Sequence, residues 1–405
     1  MAPSQAHVIV GGGQAGACAA MAMREAGFDG PITVIAEEPH PPYERPSLSK
    51  ELLRTGAGPV FIWPSGWQDE NGVTLLSGTR AMHLDLDRHV VTTSDYGEIA
   101  FNRLLLATGG IVRRLELAGT HLAGICALRS LDEASALRVA LTTARRLIVI
   151  GGGLIGLEVA ASARRLGVDV TVLEAAPALL GRIAPAEIAA LALQTHLEHG
   201  VDIRLNVQPA SFLGRTHLQS VKLVDGTVIE GDLAVVGIGI TPATDLAARA
   251  GLAVDDGILV NQRCRSSHRR VYAAGDCARQ MRPNGGRALR LENWTNARKQ
   301  AAVAARNMCG ANEAFDEVPW GWSEQYDLLL QFAGAPLCWT NRIVRRLRNG
   351  LLVLELDGGI VTAAAGVNCS KEMLLASHMI KARTHVDPTL LQDPSQPLKA
   401  MLKSA

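Results

Sequence analysis

Two short glycine runs carry most of the chemistry this chain can do. Gly11-Gly12-Gly13-Gln14-Ala15-Gly16 and Gly151-Gly152-Gly153-Leu154-Ile155-Gly156 share the spacing G-x-G-x-x-G, the second 140 residues after the first. Each follows an apolar run, residues 7–10 or 147–150. In such a turn the first glycine permits a tight bend, the second lets backbone approach a pyrophosphate, and the third lets the following helix pack closely. The helix N-terminus then faces the negative charge. Glu37 and Glu174 close the next apolar segments, 32–36 and 170–173, about 20 residues on, where a carboxylate accepts hydrogen bonds from a ribose. Two complete units predict two bound nucleotides, and a flavin with a nicotinamide is the pair that fits. Glu174 accepts from a free 2′-hydroxyl and repels a 2′-phosphate, which favours NADH over NADPH; Arg182 is the nearby charge that argues the other way.

These turns must be positioned by strands and helices. Residues 7–36 read as strand, turn, helix (16–26) and strand (32–36), a β-α-β unit of parallel-sheet type. A proline-rich loop follows at 39–49, then 73–91 alternates like antiparallel strands, and 103–107 is a short apolar strand ending in Thr108-Gly109-Gly110. An amphipathic stretch, 131–142, leads to the second unit, which starts at Arg146 and ends near Gly239. Residues 270–276 form a strand that stops at Gly275 and Asp276 and return the chain to its first domain, followed by an alanine-rich helix at 295–308. Beyond Pro319 come strands at 328–332, 343–347, 351–356 and 360–367, then a helix at 371–381. The expected fold class is α/β, with two Rossmann-like nucleotide-binding domains and a C-terminal α+β domain. The first domain is discontinuous, 1–112 and 242–318; the second, 113–241, is inserted into it; the third covers 319–405.

Composition bounds the function classes. Lysine plus arginine (40) balances aspartate plus glutamate (39) over 405 residues, so nothing global favours nucleic acid or a charged membrane surface. No apolar run reaches the roughly 18 to 20 residues that span a bilayer, and no export signal precedes the first glycine turn, so a cytoplasmic protein is expected. Seven cysteines, scattered and without a C-x-x-C pair, fit free thiols in a reducing compartment and argue against a dithiol centre, a protein-bound cluster or another metal site.

The chain resembles the flavin-dependent ferredoxin reductases that serve oxygenase systems, relatives of putidaredoxin and rubredoxin reductases. The resemblance spans the whole chain. Besides the fingerprints it rests on Pro42-Tyr43-Glu44-Arg45-Pro46-Ser47-Leu48-Ser49-Lys50, Leu106-Ala107-Thr108-Gly109, Leu128-Arg129-Ser130-Leu131, Val271-Tyr272-Ala273-Ala274-Gly275-Asp276, Glu292-Asn293-Trp294 and Pro319-Trp320-Gly321-Trp322-Ser323-Glu324-Gln325-Tyr326. Within that family it is most similar to the reductase components of aromatic-ring dioxygenases, such as those for biphenyl or 3-phenylpropionate.

The resemblance implies a glutathione-reductase-like architecture with FAD in the first domain and NADH in the second. It places Gly11, Gly13, Gln14, Ala15, Gly16, Glu37, Arg45, Lys50, Ala81, Ala107, Thr108, Gly109, Arg129, Asp276, Glu292 and Trp294 around FAD. Gly151, Gly153, Leu154, Ile155, Gly156, Glu158, Glu174, Arg182 and Gly239 are placed around NADH. Lys50 and Glu158 are implied to be an ion pair near the reacting rings, and Trp322 a cover for the flavin. Bland readings stand beside these: Lys50 as a solvated loop lysine, Glu158 as a complement to a helix dipole, Asp276 as a helix N-cap, Trp322 as core packing.

The implied reaction is hydride transfer from NADH to FAD, then single electrons to a two-iron ferredoxin, Rieske-type or plant-type, of a multicomponent oxygenase. Such ferredoxins are acidic, and two groups of arginines offer themselves for docking: Arg279, Arg282, Arg287 and Arg290, and Arg342, Arg345, Arg346 and Arg348. Either group is otherwise a solvated face. Competing readings are a rubredoxin or P450-ferredoxin reductase, a disulfide reductase or NADH peroxidase, which would need a C-x-x-C type pair near the first domain's helices or a single cysteine in the loop where Ser47 and Ser49 stand, and a non-catalytic flavin redox sensor.

Overall fold

The computed structural model describes residues 5–181, 183–281, 288–335 and 339–401, so Arg182, Arg282, Arg287 and Cys338 lie outside the described residues. Along the chain come β1 (His7–Val10), α1 (Gln14–Glu25), β2 (Ile32–Ile35), α2 (Glu51–Thr55), β3 (Val73–Leu76) and β4 (Arg103–Leu106). Then follow β5 (Ile125–Cys126), α3 (Leu131–Leu141), β6 (Arg146–Ile150), α4 (Leu154–Arg165), β7 (Asp169–Glu174), α5 (Ala186–Glu198), β8 (Asp202–Leu205) and β9 (Leu233–Val236). The remainder is β10 (Val271–Ala273), α6 (Trp294–Met308), β11 (Trp320–Gln325), β12 (Leu328–Gly334), β13 (Arg342–Leu347), β14 (Gly350–Asp357), β15 (Ile360–Val367), α7 (Ser370–Ala382) and α8 (Pro388–Gln392).

Two compact units divide the chain. One comprises Met1–Arg45, Pro59–Ile111 and Ile240–Glu317, the other Pro46–Gly58, Val112–Gly239 and Val318–Ala405. In the first, a parallel sheet runs β10-β4-β1-β2-β3. Its central strands β1 and β4 carry apolar runs at 8–10 and 104–106 because both faces are covered there. Ile9 and Leu105 join a cluster with the alanines of α1 and α6, while Val8, Val10, Leu104 and Leu106 point into a second cluster with Leu84, Val91 and Leu246. The alanines have a purpose here: α1 and α6 pack side by side, and small side chains permit the approach. The alternation at 73–91 proves to be two structures. Residues 73–76 are the parallel edge strand β3, and only Ala81–Asp85, Val90–Thr93 and Glu98–Ala100 form the antiparallel sheet. Hydrophobic alternation cannot tell a half-covered parallel edge from a hairpin.

The second unit repeats the arrangement, with a parallel sheet β8-β7-β6-β9-β5. In both sheets the fingerprint strand is central, its β-α-β partner lies on one side, and a strand arriving much later lies on the other. That reversal creates a crevice at the carboxyl ends of the strands, the place where such folds bind ligands. The C-terminal part of this unit is an antiparallel sheet, β11-β12-β15-β14-β13, with α7 packed on β15 and β12. Sequence periodicity missed β11, whose two tryptophans and glycine obscure its alternation.

Arg345 corrects the expected docking surface. On β13 it alternates inward, only 2% exposed, and its guanidinium donates to the backbone carbonyls of Leu391, Asp393 (2.9 Å) and Gln396 (2.7 Å). Its work is to tie the segment around α8 to the sheet. Arg345→Met, which keeps the apolar stem and removes the donors, is expected to lower the stability of this unit by about 2 to 4 kcal/mol. Urea unfolding followed by tryptophan fluorescence measures the loss, and an unchanged midpoint would refute the structural role. Three more arginines of the two groups are engaged: Arg279 with Asp255 at 2.7 Å, Arg290 with Asp256 at 3.1 Å and Glu292 at 2.5 Å, Arg342 with Glu187 at 2.9 Å. Among the described residues of the two groups, Arg346 and Arg348 alone are exposed without such an ion pair.

Candidate functional site

The first glycine turn is built from sterics that tolerate no side chain. Gly11 has φ +122°, and a Cβ there would lie 2.1 Å from the carbonyl oxygen of Ala107. A Cβ on Gly16 would lie 1.9 Å from the carbonyl of Gly11. Around Gly13, by contrast, a Cβ would meet only the Arg45 guanidinium, at 3.9 Å. Gly13 is also the N-cap of α1, with no side-chain cap and no acid in the first turn. Some helices do carry side-chain caps: Ser130 and Glu133 form a reciprocal capping box on α3, and Asn293 caps α6, whereas α2, α5 and α7 have none. An uncapped, uncrowded helix N-terminus beside a guanidinium suits the pyrophosphate of FAD.

The sequence-selected residues fall around this turn unevenly. Thr108 and Gly109 follow β4, and Asp276 follows β10, so with Gly11 they leave three adjacent strands at one edge. Thr108 Oγ1 donates to the carbonyl of Ala243 at 2.6 Å. Asp276 precedes a strand rather than a helix, which removes the N-cap reading. Arg45 is held by Glu38 at 2.5 Å, and Tyr43 donates to the same carboxylate. Glu38 and Tyr43 went unselected, although Tyr43 lies in the motif that pointed to Arg45. Glu37 is exposed and sits 3.7 Å from Arg80. By strand register the residue equivalent to Glu174 is Ala36, one position before Glu37. Ala81 begins an antiparallel strand, Glu292 pairs with Arg290, and Trp294 opens α6 beneath the guanidinium of Arg298 at 5.5 Å.

The second turn, in the other unit, follows the same rules. Gly151 has φ +110°, with a Cβ position 2.5 Å from the carbonyl of Gly237, and the Gly156 Cβ position lies 2.1 Å from the carbonyl of Gly151. A Cβ on Gly153, the N-cap of α4, meets nothing within 4 Å. Leu154 and Ile155 open the helix with no acid in its first turn. Glu174 closes β7 and accepts from the backbone N–H of Gly152 at 2.6 Å and of Ala176 at 2.7 Å, which fixes its carboxylate beside the glycine turn. Gly239, at φ +99°, accepts from the N–H of Arg113. Arg129 lies just before the α3 capping box, its N–H donating to Glu133.

Lys50 and Glu158 meet within this second unit. Lys50 Nζ lies 2.9 Å from Glu158 Oε1, with side-chain exposures of 13% and 2%. Glu158 is one turn deeper in α4 than a dipole-complementing acid would be, and it also accepts from the hydroxyls of Ser49 and Ser323 (2.6 Å). Neither serine was selected from sequence as a partner of the pair, though both stand inside the motifs that carried the resemblance. Trp322 is half-buried on β11, and strand alternation turns it away from the face that carries Ser323. The six described cysteines are all free. Burial pushes the thiols of Cys126 up to about 11 and of Cys264 and Cys369 up to about 12, which leaves them inert.

Two family models match: pyridine nucleotide-disulphide oxidoreductase over residues 5–301, and reductase C-terminal over residues 320–402. The chain belongs to the pyridine nucleotide-disulphide oxidoreductase family. FAD and NAD(H) are the cofactors that membership carries, and the two uncapped glycine turns fit them. Similar proteins include the ferredoxin–NAD(+) reductase component of the anthranilate 1,2-dioxygenase system of Burkholderia cepacia, 39% identical with 98% of each chain covered. Rubredoxin–NAD(+) reductase of Ectopseudomonas oleovorans is 37% identical, covering 87% of this chain and 92% of that one. A solved structure of the covalent putidaredoxin reductase–putidaredoxin complex superposes with TM-score 0.95 at 35% identity, over 100% of this chain and 99% of that one. Among the described residues no helix is long and apolar enough to cross a membrane, and no cluster of ligands for a metal ion occurs.

Proposed function

We propose that this member of the oxidoreductase family is an NADH-dependent ferredoxin reductase supplying electrons to an aromatic-ring dioxygenase, with a Rieske-type or plant-type two-iron ferredoxin as its acceptor. Residues 1–112 and 242–318 make the FAD domain, 113–241 the NADH domain and 319–405 the C-terminal domain. The observation that carries the reading is the Lys50–Glu158 pair, whose glutamate is buried on α4 and whose lysine follows a loop that holds Ser47 and Ser49 where a disulfide reductase or NADH peroxidase could carry a redox cysteine. Bound FAD supplies the conversion of a two-electron hydride into the single electrons an iron-sulfur centre accepts.

The protein's own part is positional and electrostatic. Gly13 and the first turn of α1 receive the pyrophosphate of FAD, with Arg45 supplying positive charge, and Asp276 accepts from the ribityl hydroxyls. Gly153 and α4 receive the dinucleotide of NADH, and the fixed carboxylate of Glu174 selects a free 2′-hydroxyl. Lys50 presents a cation that stabilises negative charge on the reduced ring system, and Glu158 neutralises it in the oxidised state. Trp322 restricts water.

The test is a stopped-flow assay of NADH-reduced protein against purified Rieske-type, plant-type and rubredoxin acceptors. Rapid reoxidation by a two-iron ferredoxin, with NADPH a much poorer reductant than NADH, is the expected result. A protein reoxidised faster by rubredoxin than by either ferredoxin would overturn the choice of acceptor, and one indifferent to all three would be a redox sensor.

A further inference from the structure

Glu158 is the end of a hydrogen-bond chain that continues into the C-terminal sheet. Ser323 Oγ lies 2.6 Å from Glu158 Oε1, Gln325 Nε2 lies 3.1 Å from Ser323 Oγ, and His196 Nε2 lies 3.1 Å from Gln325 Oε1. All four residues are buried, with Ser323, Gln325 and His196 at 0% exposure. Alternation on β11 puts Ser323 and Gln325 on one face, against α4, and α5 supplies His196.

The directions of these bonds follow from chemistry alone. With Lys50 as its ion partner, the carboxylate only accepts, so the Ser323 hydroxyl donates to it. Having given its one proton, that oxygen must accept from the amide nitrogen of Gln325. The Gln325 carbonyl oxygen in turn accepts, so His196 must carry its proton on Nε2. Burial pushes the imidazole down to about 4, so it is neutral at working pH and has only one proton to place. Every donor in the chain points toward Glu158, an alignment in which each bond polarises the next. From the other side Ser49 donates to Oε2, and its own carbonyl accepts from Ser162 Oγ at 2.8 Å, so the loop that carries Lys50 is fastened to α4.

We propose that Ser323, Gln325 and His196 are positioning residues, a one-way chain that aims the Glu158 carboxylate at Lys50 and so sets the field at the flavin. This rests on the assignment of the Lys50–Glu158 pair to the flavin. His196 is anchored in turn by its ring neighbours: Tyr326 lies edge-on at 5.1 Å, and His199 stacks on Tyr326 at 3.7 Å. Tyr326 adopts φ +54° at the turn between β11 and β12, which brings residue 325 and its own ring to the same helix. None of these residues touches substrate; their effect passes through Glu158.

Three measurements on the FAD-loaded full chain test the chain. In stopped flow, Ser323→Ala is expected to slow flavin reduction by NADH about tenfold, the equivalent of one hydrogen bond to a charged group, and Ser323→Thr to restore it. The midpoint potential of the bound FAD should move in Ser323→Ala and return in Ser323→Thr. Nitrogen-15 histidine spectra should show His196 neutral with its proton on Nε2 from about pH 6 to 8, and this fixed tautomer should be lost in Gln325→Leu. A His196 proton on Nδ1, or wild-type rate and potential in Ser323→Ala while Lys50→Ala is impaired, overturns the chain. If Lys50→Ala also behaves as wild type, the assignment of the pair to the flavin is what falls.

Discussion

Gly151→Ala is expected to give a yellow protein that NADH no longer bleaches, whereas Gly11→Ala is expected to give a colourless one. Both glycines sit at positive φ, +110° and +122°, where an L side chain costs of order 1–3 kcal/mol of backbone strain. A methyl group would also meet a backbone carbonyl, that of Gly237 at 2.5 Å or of Ala107 at 2.1 Å, so the turn must open. On the proposed assignment, opening it displaces the N–H groups offered to the pyrophosphate. The damage is confined to one sheet because each carbonyl belongs to the same unit as its glycine. Visible absorption reports FAD content, and dithionite reports whether the retained flavin can still be reduced. A Gly151→Ala protein that keeps FAD, bleaches with dithionite and is more than about a hundredfold slower with NADH matches the proposal. Loss of FAD from Gly151→Ala, with Gly11→Ala still yellow, would reverse the assignment of the two turns.

Glu158→Ala has the second large effect, and it divides into two parts. The carboxylate accepts from Lys50, Ser49 and Ser323 in a place where it is 2% exposed, so its removal strands one ammonium and two hydroxyls together. Breaking one side of a buried ion pair costs about 3–5 kcal/mol. A melting point lowered by several degrees is therefore expected, along with slower reduction of the flavin by NADH. Glu158→Gln separates the causes: its amide oxygen still accepts from one of the two serines and its NH2 can donate to the other, while the charge is gone. Stability should be largely regained in Glu158→Gln, but the reduction rate and the potential of the bound FAD should stay altered. Should Glu158→Gln match wild type in both, the charge has no role and the carboxylate is only a hydrogen-bond acceptor.

The legible parts of the fold were those where backbone sterics or continuous burial dictate residue type. Gly11, Gly16, Gly151 and Gly156 occupy positions where carbonyl oxygens exclude a Cβ, so their spacing reveals the turn, the helix behind it and the sheet in front. The central strands of both parallel sheets, β1, β4, β6 and β9, are short apolar runs because they are covered on both faces. What was not legible depends on tertiary neighbours. Ser49, Ser323 and Gln325 are common surface residue types, and only folding brings 49, 158 and 323 within hydrogen-bonding distance. Arg345 looks in sequence like its exposed neighbour Arg346, yet strand alternation sends the first inward to three carbonyls and the second to solvent. Glu37 and Glu174 look equivalent by spacing, but the strand pairing offsets them by one residue.

The division of the chain into units also bears on how such a protein can be recombined. Residues 46–58 cluster with 112–239 and 318–405, although their immediate neighbours in the chain belong to the other unit. Sequence alone suggests a removable cassette, the inserted nucleotide domain, that could be exchanged between relatives as a single block. The cluster around Glu158 forbids that economy. A graft of 113–241 alone imports the carboxylate and His196 but leaves Lys50, Ser49, Ser323 and Gln325 to the host. The heritable module is thus three separate stretches of chain, and a chimaera that respects only the contiguous one will join two lineages at the site least able to tolerate a mismatch.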